Sequence, residues 1–411
     1  MSQSRAERKF RRQIDFAAQH YEAGDVDSAK DVLETLLVKS PTVFKPEVLN
    51  HLASLAREAG DTSKAIAYLT SAAKLQPKHP ETWLKIGMLN MEQEDFETSV
   101  DAYRHLASLV PDDPDSFVFL GDALQSSNNA AEAIPAYQKA LTLFPDHPCA
   151  WTNLAMAFLQ EGQWHDALNA AERQISLQPG HTGSIALKCI ALQELKLDGA
   201  WKEIVDFDRL IGSFDISPKP EGYPDLLAFN RDLAAYCKAH QSLTYEPKAN
   251  TTTLGWQTSD ISNDGEPVID ALLAEIEVCV QQYIQSHPVD RDHPFLAQRP
   301  TQWNYYLWGT VLKSEGHQAS HLHRDGWLSG VYYAELPSSI VSDANSDTND
   351  GWIEFGIPQA YPKSKAIPET RTFEPVEGRL YLFPSYFYHR TIPFDSDTAR
   401  VSLAFDLMPQ H

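Results

Sequence analysis

The sequence predicts a multidomain α + β protein. An all-α repeat array fills the N-terminal half, and a strand-dominated domain with flanking helices fills the C-terminal half. Three observations predict this. Aromatic, small and proline residues recur every 34 positions through the first half. That period stops after about Asp206. From Gln302 onward, β-branched and aromatic runs bounded by turn residues take over.

The repeat is legible residue by residue. Pro77, Pro111, Pro145 and Pro179 keep the 34-residue spacing, as do Trp83, Phe117, Trp151 and Ile185. Gly87, Gly121, Ala155 and Cys189 hold a third register, and Ala65, Ser99, Ala133 and Ala167 a fourth. An earlier, offset copy contains Gly24 and Ala29 and ends at Pro41. An aromatic and a small residue four positions later share one helix face. The small residue lets a second helix approach, and the proline ends the unit. The pattern resembles the tetratricopeptide repeat over about residues 10–203. That resemblance implies a superhelical scaffold for a protein or peptide partner. A degenerate sixth unit, Thr182 to about Val205, reads as a cap. The repeat aromatics are expected to be packing residues.

Composition narrows the class. There are 34 Lys and Arg against 56 Asp and Glu, a formal charge of −22. Such a chain is a poor binder of nucleic acid or anionic membrane. Cys149, Cys189, Cys237 and Cys279 lie far apart, so neither a zinc cluster nor a disulfide framework is suggested. Met1 to Phe16 is basic but lacks an apolar core, unlike a signal peptide, and no window is apolar enough to span a membrane. A cytoplasmic location is expected.

The expected organisation is repeats over 1–205, a linker over 206–224 and a second domain over 225–411. Ser213 to Pro224 is rich in Pro, Gly and Ser. Leu226–His240 and Pro267–His287 show helical spacing. Strands are expected at Trp303–Leu312, Trp327–Leu336, Gly351–Phe355, Arg379–Phe383 and Arg400–Leu407, with a polar loop at Ser338–Asp350. The strand aromatics Trp303, Trp308, Tyr332 and Tyr333 are expected to fill the core, while Asn304 and Tyr306 share a face that could reach a co-substrate.

Two histidine segments carry chemistry. In His321-Leu-His323-Arg-Asp325, residues two apart share a face of an extended chain. His389 lies far downstream, and Arg400-Val-Ser402 follows it. H-x-D with a distant His is the facial triad of non-haem iron(II), which leaves coordination positions open. An Arg with a neighbouring Ser suits a carboxylate through a guanidinium fork and a hydroxyl. His323-Arg-Asp325 meets the H-x-D pattern literally and is the preferred proximal pair. His321-Leu-His323 is equally well spaced and gives a site without the carboxylate. No catalytic group is expected beyond the metal ligands. His-Arg-Asp also occurs in kinase catalytic loops, but no Gly-rich loop or D-F-G accompanies it.

His321 through Pro337 and Gly378 through Pro409 resemble the 2-oxoglutarate- and iron(II)-dependent oxygenases. In particular they are similar to bacterial ones with an H-x-H-x-x-x-W-x-S-G-V-Y-Y stretch, often fused to tetratricopeptide repeats. The resemblance implies a C-terminal double-stranded β-helix (jelly roll) with His389 as distal iron ligand. It places the 2-oxoglutarate carboxylate on Arg400, with Ser402 beside it. The implied cofactors are Fe(II), 2-oxoglutarate and O2, with room for ascorbate. The implied activity is a dioxygenase that hydroxylates a protein or peptide side chain, the repeats recruiting substrate or partner. Some oxygenases resembling aspartyl β-hydroxylase work without that carboxylate ligand. The alternatives are a small-molecule oxygenase with repeats for assembly, and a scaffold whose β-helix is inert.

Overall fold

The computed structural model describes residues 5–248, 250–340, 349–358 and 361–410. The polar loop expected at Ser338–Asp350 therefore lies largely outside the described residues. The chain divides into two compact units, Met1–Ala157 and Phe158–His411.

The first unit is the N-terminal tetratricopeptide array. Its helices are α1 (Arg5–Glu22), α2 (Val26–Lys39), α3 (Lys45–Glu58), α4 (Thr62–Leu75), α5 (Pro80–Glu92), α6 (Phe96–Leu109), α7 (Pro114–Ser126), α8 (Ala130–Leu143) and the start of α9 (Ala150–Gln160). Short side chains set the spacing within each pair. A Cβ at Gly121 would stand 2.5 Å from the ring of Tyr137, which is fully buried. Gly87 meets Tyr103 in the same way. Ala65 and Ala133 are fully buried where the second helix crosses the first. Ser99 replaces alanine in that register and satisfies its hydroxyl on the carbonyl of Gly87 at 2.9 Å. Trp83 and Trp151 are half-buried rather than core, and each indole donates to a proline carbonyl of the preceding turn, Pro77 at 2.7 Å and Pro145 at 2.8 Å. Asp25, Asp61 and Asp95 cap the second helices by accepting from the backbone N–H three residues on.

The second unit begins inside α9, with α10 (Trp164–Leu177), α11 (Thr182–Glu194), α12 (Asp198–Ile204) and α13 (Phe207–Leu210). The boundary expected at 205/206 thus falls within it. Helix α11 is buried on nearly every side, from Thr182 and Ser184 through Ile185, Leu187, Ile190 and Leu192. A helix covered all round needs apolar residues all round. That requirement explains why the sixth repeat departs from the pattern: it packs on the β-domain. Thr182 Oγ1 donates to the Gly326 carbonyl at 3.1 Å, and Tyr386 donates to the Ile204 carbonyl at 2.6 Å.

Two antiparallel sheets form the double-stranded β-helix. The larger runs β1-β8-β5-β10-β4-β3-β2 and the smaller β7-β6-β9. Their strands are β1 (Gly212–Asp215), β2 (Thr244–Tyr245), β3 (Thr252–Gln257), β4 (Trp303–Gln318), β5 (Leu328–Glu335), β6 (Ile353–Phe355), β7 (Arg371–Phe373), β8 (Arg379–Pro384), β9 (His389–Thr391) and β10 (Arg400–Pro409). Central strands β5 and β10 are buried along almost their whole length. Helices α14 (Leu226–Ala239) and α15 (Pro267–Ser286) pack on the larger sheet, α14 on β4, β5 and β10 and α15 on β8. The segment expected as a linker holds α13 and the edge strand β1, which pairs with β8 through Gly212↔Leu382 and Asp215↔Arg379. Its turn residues mark the ends of a sheet edge. No described helix is long and apolar enough to cross a membrane.

Candidate active site

Strand β10 organises the site. It lies between β4 and β5, with Ser402 opposite both Thr310 and Tyr333, and Asp406 opposite both Tyr306 and Ser329. Alternation puts Arg400, Ser402, Ala404 and Asp406 on one face of that strand. All four are buried.

The three histidines come together next to that face. His321 and His389 pair by their backbones, each N–H donating to the other's carbonyl at 3.0 and 2.9 Å. His323 N–H donates to the Ser385 carbonyl at 3.0 Å. The candidate ligand atoms of His321, His323 and His389 all lie within 4.8 Å of one another. Each ring has its Nδ1 on an acceptor. His321 Nδ1 lies 2.8 Å from the Ala319 carbonyl, and His389 Nδ1 3.0 Å from the Phe387 carbonyl. His323 Nδ1 meets the Asp406 carboxylate. A proton at Nδ1 leaves the Nε2 lone pair free, the tautomer a metal needs. Burial holds His389 well below the ordinary histidine value, with His321 and His323 adding to the effect. Burial likewise draws His321 down to about 4, His323 adding. Both rings are thus neutral near pH 7. The donor set, three convergent imidazoles, fits a first-row transition metal such as iron(II).

Arg400 shares a cavity with these histidines, together with Trp308, Gln318, Tyr333 and Thr391. Arg400 is 2% exposed, and its guanidinium stacks 4.9 Å over the Tyr333 ring and donates to Ser402 Oγ at 3.1 Å. No carboxylate among the described residues pairs with it, and burial lowers its pKa from the ordinary arginine value. Arg400 Nε, Tyr333 OH, Thr310 Oγ1 and Trp308 Nε1 are buried without a hydrogen-bond partner. A buried guanidinium and orphaned donors need an anion with several acceptor oxygens. A dicarboxylate such as 2-oxoglutarate fits that requirement.

A larger cleft of about 550 Å³ adjoins the cavity and shares Trp308, Gln318, His321 and His323 with it. Hydroxyl and amide side chains, Thr244, Asn250, Gln257 and Ser259 among them, line much of its wall.

The structure gathers His321, His323 and His389, and places Arg400 and Ser402 in the adjoining cavity. It does not bring Asp325 to them. The chain bends at Arg324 and Asp325, so the shared face expected from alternation ends at His323. Asp325 is exposed and lines the outer cleft. Tyr306 lines that cleft too, whereas Asn304 accepts from Gln410 Nε2 at 2.6 Å and lines neither space. Asp406, Ser329 and Thr310 escaped the sequence reading. Counting by twos from Arg400 along β10 reaches Asp406 and was the available signal. The thiols take no part: three of the four cysteines are buried and all are free.

The chain combines a helical repeat unit with a β-helix that carries convergent histidines and a buried arginine. Residues 306–406 match the family described as "Putative 2OG-Fe(II) oxygenase". Residues 50–114 and 120–181 match the tetratricopeptide repeat. The chain thus carries tetratricopeptide repeats in its N-terminal region and a "Putative 2OG-Fe(II) oxygenase" domain at 306–406. No curated protein matches it. Solved structures similar to it include MamA from Desulfovibrio magneticus RS-1, residues 41 to the end, at 18% identity and a TM-score of 0.36, covering 43% of this chain and 95% of that one. Another is YrrB, titled a TPR protein with an unusual peptide-binding site, at 17% identity and a TM-score of 0.36, covering 40% of this chain and 84% of that one.

Proposed function

We propose that the protein is an Fe(II)- and 2-oxoglutarate-dependent dioxygenase that hydroxylates a protein or peptide side chain. The observation that carries this reading is one cavity lined by three convergent imidazoles and a buried arginine that has no counter-ion among the described residues. His321, His323 and His389 would hold the iron, a ligand set without an inner carboxylate. Arg400 would take the far carboxylate of the co-substrate, and Ser402 Oγ fixes the guanidinium for it. Tyr333 OH and Thr310 Oγ1, both without partners, are the neutral groups available to the same anion. With iron and 2-oxoglutarate bound, such a site supplies oxidative decarboxylation to succinate and CO2 coupled to hydroxylation of a C–H bond. His321 and His323 line both the cavity and the outer cleft, so a substrate in the cleft lies directly against the histidines.

The outer cleft supports a substrate larger than a free amino acid, and tetratricopeptide repeats generally bind proteins or peptides. The repeats would therefore recruit substrate or partner. The test is 2-oxoglutarate consumption by iron-loaded protein against a peptide library and a panel of small metabolites. Peptide-dependent succinate release with a 16 Da gain on the peptide supports the reading (about one oxygen atom, as hydroxylation requires). Release stimulated only by small metabolites replaces it with the small-molecule reading.

A further inference from the structure

We infer that Asp406 is the outer-sphere carboxylate of this metal site: it orients His323 and delivers through that ring the negative charge the three-histidine set lacks. The inference rests on the proposed metal site.

The three rings are held differently. His321 and His389 each use a carbonyl two residues back in their own segment, a local and neutral acceptor. His323 instead reaches β10, where its Nδ1 meets Oδ1 of Asp406. The Asp406 side chain is 12% exposed, at the wall of the outer cleft, so it is less screened than a surface carboxylate. No lysine or arginine among the described residues pairs with it; its ring partner is the His323 imidazole. Ser329 Oγ donates to the same oxygen at 2.6 Å and touches Ser385 Oγ at 2.8 Å. Ser385 in turn receives the backbone N–H of His323. Gly326 closes the back of this group: a Cβ there would stand 2.7 Å from Ser385 Oγ and 3.3 Å from Asp406 Cβ. Ring, carboxylate and both serines are thereby fixed by β5, β10 and the turn after β8.

A buried carboxylate accepting from the far nitrogen makes an imidazole a stronger donor to a metal and fixes its tautomer. Asp325, exposed at the bend, is not placed to do this. The charge that an H-x-D site puts on the metal directly is here one residue removed, on a strand that also carries Arg400. Asp406 is therefore a positioning residue.

The test uses cobalt(II) as the probe in the full-length protein. Asp406→Asn keeps an acceptor oxygen and removes the charge, and should weaken cobalt(II) binding about 10- to 100-fold. Proton NMR of the cobalt(II) protein should show three exchangeable, strongly shifted ring N–H signals, one per histidine. In Asp406→Asn one should move and two should stay. Ser329→Ala leaves the carboxylate in place and should move that same signal with a smaller loss, about two- to twelvefold, as expected for one neutral hydrogen bond. It decides the matter should Asp406→Asn not fold. Wild-type affinity and unmoved signals in the folded variants would overturn the role of Asp406 while leaving the metal site intact. Wild-type protein that binds no cobalt(II) would overturn both.

Discussion

Arg400 offers two measurements with opposite signs. Its guanidinium is buried, its Nε has no partner, and its Nη1 donates to a neutral hydroxyl, Ser402 Oγ. Arg400→Lys keeps a charge but replaces the planar fork by a point donor. Losing one charge-assisted bond to a carboxylate costs about 1.5–3 kcal/mol, which raises the 2-oxoglutarate Kd by roughly 10- to 150-fold. Arg400→Met removes the desolvated charge altogether. Relief of an unsatisfied buried donor is worth about 1–3 kcal/mol, against about 0.5–2 kcal/mol lost from stacking on Tyr333. The ligand-free Met variant is therefore expected to be more stable than wild type by about 1 kcal/mol while binding no 2-oxoglutarate. Calorimetric titration of anaerobic iron-loaded protein gives the first quantity. Urea unfolding without ligand, followed by the β-domain tryptophans, gives the second. The co-substrate at a hundred times its Kd should stabilise wild type by about 2.7 kcal/mol and the Met variant not at all. Wild-type affinity in Arg400→Lys, or unchanged 2-oxoglutarate stabilisation of Arg400→Met, would refute the assignment of this arginine to the co-substrate.

Three further outcomes are expected. Gly121→Ala forces a methyl onto the Tyr137 ring, which cannot retreat because its hydroxyl is tied to Asp122 at 2.7 Å and Gln125 at 2.9 Å; overpacking of about 1–3 kcal/mol outweighs the ~1 kcal/mol helix propensity of alanine, and a higher urea midpoint would contradict this. Burial raises the Asp122 carboxyl above its ordinary value despite bonds from Tyr137 and Asn153, so the folded state holds that proton longer and loses stability as pH rises from about 4 through the folded pKa. Asp122→Asn keeps the acceptor, so its advantage over wild type should be absent near pH 3.5 and grow toward pH 7 (about the span from the unfolded carboxyl pKa to neutrality); an advantage independent of pH would exclude this cause. Ser402→Ala should raise the 2-oxoglutarate KM about two- to twelvefold with iron binding intact, and a loss of iron would show that the serine serves the metal instead.

The repeats were legible because each register position has one physical job. Gly121 admits a tyrosine, Ala133 admits a helix, and Pro111 stops one, so identities recur at a fixed period. The degenerate unit at Thr182 lost that signal because α11 answers to the β-domain as well as to its own repeat. Long central strands β4, β5, β8 and β10 announced themselves through apolar and aromatic runs. Strands β2, β6, β7 and β9, of two or three residues each, are too short for alternation to register, and only Gly351–Phe355 pointed to one of them. At the site, His321, His323, His389 and Arg400 stood out by residue type. The fate of Asp325 did not, because alternation presumes an extended chain and the bend at Arg324 ends it. Asp406 was hidden for a different reason: its partner His323 is 83 residues away, joined only when β10 lies beside β5.

The proposed function stands on an iron(II) site made by three histidines next to a co-substrate arginine. Anaerobic titration of metal-free protein with iron(II), with and without 2-oxoglutarate, tests it most directly. One iron per chain is expected, with loss of binding in His321→Ala and His389→Ala, retention in Asp325→Ala, and 2-oxoglutarate bound to the iron-loaded protein and turned into succinate on admission of oxygen. Iron binding that survives His389→Ala, or iron-loaded wild type that neither binds 2-oxoglutarate nor releases succinate, would contradict it.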